Sequence, residues 1–74
     1  LANLSRRERQ IMDVVYLLGA ASASQVHERI PDPPTQTAVR TMLRILEAKG
    51  HLRHEKDGVR HIYRPTTPRD AAQR

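Results

Sequence analysis

Gln36, Thr37, Arg40 and Thr41 carry side chains suited to reading base edges in a nucleic-acid groove, and they recur at helical spacing. An arginine fork matches the two acceptors of guanine, a glutamine amide matches adenine, and a threonine offers a methyl to thymine or a hydroxyl to phosphate. Arg44 lies one turn further on, where a cation meets the sugar–phosphate backbone. Thr35, at the head of the same segment, joins Arg44 as a backbone candidate, as does Arg60 beside a predicted turn. Arg6 and Arg7 complete the backbone set. They stand at the start of the first predicted helix, where a cation opposes the helix dipole, which implies that they serve something outside that helix.

Other chemistries find little support. His27, His51, His54 and His61 form no His-x3-His pattern. His54 and His61 are expected to face each other across a hairpin, but with no cysteine and no carboxylate on that face they make a poor site, so neither a metal nor a cofactor is expected. Ser5, Ser22 and Ser24 are accounted for as caps or turn residues. Paired carboxylates, a Gly-rich phosphate loop and a Ser-His-Asp cluster are all missing, so the chain is not expected to be an enzyme. The lack of cysteine excludes a disulfide scaffold and a thiol nucleophile. No apolar run is long enough for a membrane span or a signal peptide, and a cytoplasmic location is the expectation. The 74 residues allow one small domain with a modest core. Thirteen Lys and Arg against eight Asp and Glu give a net charge of +5, which favours a polyanionic partner.

The elements that must position these side chains follow from caps and periodicity. Ser5 and Glu8 have capping-box spacing, and Ile11, Val14, Val15 and Leu18 follow at helical intervals up to Gly19, which predicts a helix from Leu4 to Gly19. Ser22 and Gln25 repeat the box ahead of Val26 and Ile30, and Pro31 stops a short helix of about Ala23 to Ile30. A brief strand pairing is expected at 20–22. Pro31-Asp32-Pro33-Pro34 reads as a stiff linker. A third helix over 35–49 buries Val39, Met42, Leu43 and Leu46 and exposes Thr37, Arg40, Thr41 and Arg44, ending at Lys49 and Gly50. Residues 51–65 read as a hairpin turning at Asp57-Gly58. That register pairs Lys56 with Val59, Glu55 with Arg60, His54 with His61, Arg53 with Ile62 and Leu52 with Tyr63, with Leu52 and Tyr63 anchoring the hairpin on the helices. Residues 66–74 are expected to be a tail or the start of a further helix at Arg69 to Arg74.

Three helices followed by a basic two-stranded hairpin make a mainly α fold with the winged helix-turn-helix plan over residues 4–65. The third helix would enter a major groove and the hairpin would be the wing. A winged helix used for protein–protein contact is the alternative. It is disfavoured because such surfaces tend to be apolar or acidic, whereas this helix face has two arginines and two threonines.

Three runs carry a family resemblance: Leu4-Ser5-Arg6-Arg7-Glu8-Arg9-Gln10-Ile11-Met12-Asp13-Val14-Val15, then Thr37-Ala38-Val39-Arg40-Thr41-Met42-Leu43-Arg44-Ile45-Leu46-Glu47-Ala48-Lys49-Gly50, then Tyr63-Arg64-Pro65. They resemble the penicillinase repressor family, bacterial regulators of β-lactam resistance with relatives that control copper-transport operons. The resemblance implies a transcriptional repressor that binds palindromic double-stranded operators as a dimer. It places Thr37, Arg40 and Thr41 on the exposed face of the recognition helix and Arg60 on the wing. In the family's best-known branch, release follows proteolysis beyond the DNA-binding domain after a membrane sensor detects antibiotic. The chain departs from the family in three ways. It stops at Arg74, before the family's dimerising helices, so it is expected to be the N-terminal DNA-binding domain alone and mostly monomeric. It lacks the cysteine cluster of the copper-responsive branch. His61 stands where the family often has an aromatic residue.

Overall fold

A computed structural model of the chain describes residues 4–67. Among these the order is α1 (Arg6–Leu18), α2 (Ala23–Arg29), α3 (Gln36–Ala48), β1 (Leu52–Asp57) and β2 (Arg60–Pro65). The helix ends are where local chemistry puts them. Ser5 Oγ accepts the Glu8 N–H at 3.1 Å and the Ser5 N–H donates to Glu8 Oε1 at 2.8 Å, closing the capping box that opens α1. Ser22 and Gln25 close the same box on α2, at 3.3 and 2.9 Å. Thr35 caps α3, its Oγ accepting the Ala38 N–H at 3.1 Å. Ile30, held extended by the proline after it (ψ 142°), ends α2. Asp32 follows at φ 47°, the sole non-glycine at positive φ among the described residues and a conformation that aspartate tolerates better than most.

The hairpin forms, but its register differs from the expected one by two residues. The turn is Gly58-Val59, and the pairs are Asp57 with Arg60, Lys56 with His61, Glu55 with Ile62, His54 with Tyr63, Arg53 with Arg64 and Leu52 with Pro65. Gly58 has φ 64° and Val59 does not share it. A two-residue turn with positive φ only at its first central position wants Gly there, whereas an Asp57-Gly58 turn would put Gly second. The expected Glu55–Arg60 cross-strand pair is therefore replaced. Arg64 Nε donates to Glu55 at 2.9 Å, and Arg60 sits 3.5 Å from Asp57. His54 and His61 are diagonal neighbours instead of direct partners, with rings stacked at 4.6 Å. A slip of two leaves every side chain on its expected face, so Leu52 and Tyr63 are still buried beneath the helices.

The brief pairing expected at 20–22 is a single antiparallel bridge between Ala21 and Tyr63, each N–H donating to the other's carbonyl at 2.9 and 2.8 Å. It makes β2 the middle element of the hairpin edge and pins the start of α2 to the wing. One core unites all elements: Ile11, Met12, Val14 and Val15 of α1, Ala21, Val26 and Ile30 around α2, Val39, Leu43 and Leu46 of α3, and Leu52 and Tyr63. Glu8 lies at its edge and takes an ion pair from Lys49 at 2.9 Å, tying the head of α1 to the end of α3. Thr66 is fastened to the turn after α3, its N–H donating to the His51 carbonyl and its hydroxyl to that of Gly50. The segment expected to be a tail or a helix lies outside the described residues from 68 onward, Arg69 to Arg74 included.

Candidate nucleic-acid interface

The division of α3 into two faces produces the site. Val39, Leu43 and Leu46 are fully buried, so Gln36, Thr37, Arg40, Thr41 and Arg44 face solvent. Arg40 makes no hydrogen bond or ion pair with any described residue, so its fork is open to a ligand. The Thr41 hydroxyl donates to the Thr37 carbonyl at 3.0 Å, which leaves its methyl and an oxygen lone pair for any contact outside the helix. Arg44 stands against the Tyr63 hydroxyl. Burial raises the Tyr63 pKa, the charge of Glu47 adds to that rise, and Arg44 opposes it.

Arg40 and Arg44 form one wall of an open groove of about 350 Å³. The other walls are Ser22, Ala23 and Ser24 at the start of α2, and Val59, Arg60, His61 and Tyr63 of the hairpin. No carboxylate lines it. Three guanidinium groups without an acidic neighbour in the wall focus positive potential there. By sequence alone Ser22 and Ser24 are only cap and turn residues, and Val59 and His61 have no place in the site. The signal that would have placed them is the pairing at 20–22, which brings the start of α2 to the wing.

Arg6 and Arg7 are not in this groove. With Gln10, Pro31 and Asp32 they line a separate depression. Arg7 is engaged within the fold: Nη1 donates to the Pro31 carbonyl at 2.9 Å and to Gln10 Oε1 at 3.1 Å, and Nη2 donates to the Asp32 carbonyl at 3.1 Å. Arg6 is exposed. Thr35 and Gln36 lie at the head of α3, exposed and outside the groove wall. Behind the wing, Glu47 of α3 holds His54 Nδ1 at 2.5 Å, and His54 stacks on His61. Among the described residues no three His, Asp or Glu side chains converge as metal ligands, and no helix is long and apolar enough to cross a membrane.

Residues 4–74 match the sequence profile of the penicillinase repressor family. The chain belongs to that family. The match runs past Pro65, where the sequence resemblance had been expected to end. No curated protein matches this family member. Three solved structures resemble it. The DNA-binding domain of the repressor BlaI superposes with a TM-score of 0.79 at 25% identity, over 90% of this chain and 84% of that one. The repressor CopR is 33% identical, with a TM-score of 0.73 over 88% of this chain and 97% of that one. BpsR of Bordetella bronchiseptica, whose DNA binding is regulated by 6-hydroxynicotinic acid, shares the fold at 19% identity and a TM-score of 0.79, over 97% of this chain and half of its own. The winged helix-turn-helix expected from the sequence is the fold observed.

Proposed function

We propose that this domain is a sequence-specific, double-stranded-DNA-binding transcriptional repressor module, with α3 in the major groove and the hairpin as its wing. The observation that carries the reading is Arg40: exposed, without a partner among the described residues, on the open face of a helix whose other face is the core, and in the wall of a groove lined by three guanidiniums and no acid. In this reading Arg40 reads guanine, Gln36 reads adenine, and Thr37 and Thr41 meet thymine methyl groups. Arg44 and Arg60 bind phosphates from the two sides of the groove, and Thr35 and Arg6 add phosphate contacts outside it. Likeness to DNA-binding repressor domains supports the same reading.

In this reading two such domains act together on the halves of a palindromic operator, because two linked half-site contacts reinforce each other. The reading needs no catalysis and no cofactor, and a repressor of this kind works in the cytoplasm. The test is selection of duplexes from a randomised pool on the immobilised chain. Binding of the selected duplex and of a scrambled copy is then measured across a salt series. A steep salt dependence with preference for the selected duplex is expected. Absence of binding at low salt overturns the proposal.

A further inference from the structure

We infer that Arg7 is a positioning residue that ties the α2–α3 linker to α1 and thereby fixes how α3 enters the DNA groove, an inference that rests on the DNA reading above. The linker is a weak point by composition. Pro31, Pro33 and Pro34 have no N–H to donate, and among the described residues no backbone–backbone hydrogen bond reaches residues 31–34. Its second residue, Asp32, is at φ 47°, a conformation that persists only where the surroundings hold it. Among the described residues, the hydrogen bonds that hold it come from one side chain. The two terminal nitrogens of Arg7 grip the consecutive carbonyls of Pro31 and Asp32, and Gln10, one turn along α1, steadies the same guanidinium. Three residues after Asp32, Thr35 caps α3. The base-reading residues Gln36, Thr37 and Arg40 sit in the first turns after that cap, so a shift in the linker moves them first.

The geometry also explains a misplaced charge. A cation in the first turn of α1 works against the helix dipole, yet Arg7 is the residue from which a planar, five-donor fork reaches both carbonyls. A lysine would keep the charge but not the fork. Three of the five N–H donors are spent on the two carbonyls and Gln10, and a phosphate contact, which needs the charge more than the fork, would survive in a lysine variant. The two roles are therefore separable by experiment.

The test compares the wild-type chain with Arg7→Ala and Arg7→Lys on the selected duplex and its scrambled copy, across a salt series, with the melting temperature of each variant measured alongside. Positioning predicts that both variants lose about tenfold in preference for the selected duplex. Affinity for the scrambled duplex and the salt slope should stay at their wild-type values, and amide chemical shifts should move at residues 32–37. Overturning results are a lysine variant that behaves as wild type while the alanine variant loses about one unit of salt slope on both duplexes, which would make Arg7 a phosphate contact, or variants that keep full preference. A wild-type chain with no preference at all would remove the DNA reading, and the positioning role with it.

Discussion

The foot of α1 and the open face of α3 both carry arginines, and the fold treats them in opposite ways. At α1, Arg7 is bound to two carbonyls and an amide, and Glu8 beside it is bound to Lys49. On α3, Arg40 is bound to nothing within the described fold, and Arg44 shares a groove wall with Tyr63. Partners within the fold assign Arg7 to the architecture, and the lack of any among the described residues leaves Arg40 available to a ligand. Net charge counts the two alike. Only their neighbours separate them.

The largest effect is expected from removing what the two regions share. Leu43→Ala empties a fully buried position behind the exposed arginines of α3 and should cost about 2–5 kcal/mol. In a domain this small that is most of the stability, and thermal unfolding will show it. Arg40→Ala acts on the ligand side alone. It should cost about 1–3 kcal/mol on the selected duplex, much less on a scrambled one, and leave the melting temperature near wild type. Equal losses on both duplexes would mean that Arg40 does not read bases.

Glu8→Ala is the mirror experiment. It removes half of a capping box and the Lys49 ion pair, should destabilise by about 1–2 kcal/mol, and should leave DNA preference intact wherever the variant is folded. Its pH dependence sharpens the contrast. The Ser5 backbone N–H first, and the Lys49 ammonium next, hold the Glu8 carboxyl below its ordinary pKa against the opposing effect of burial. A depressed pKa in the folded state gives stability that is present above the unfolded glutamate value, about 4.3, and lost as pH falls through the folded one. Urea midpoints measured on descending pH should therefore drop in wild type and drop less in Glu8→Gln. The smallest effect belongs to Arg60→Ala, which should lower the salt slope by about one on all sequences without changing base preference. An unchanged slope would remove Arg60 from the phosphate contacts and leave it as a partner of Asp57.

Much of this molecule follows from its sequence alone. The three caps at Ser5, Ser22 and Thr35, the stop before Pro31 and the buried stripe of α3 are set within a few residues of chain, by hydrogen bonds and periodicities that local spacing encodes. The choice of inward and outward face on α3 follows as well, and with it the candidate readers Gln36, Thr37, Arg40 and Thr41. The hairpin was half legible. Which face of each strand is buried depends on alternation and survives a slip of two, but the turn itself depends on whether Gly58 takes the first or the second central position, and the packed strands decide that. What only the tertiary structure determined is the company each cation keeps. Arg7 meets carbonyls more than twenty residues away along the chain, Lys49 meets Glu8, and Ser22, Arg40 and His61 come to one groove because a single bridge joins Ala21 to Tyr63. Such contacts close long loops, and no local spacing carries their signal.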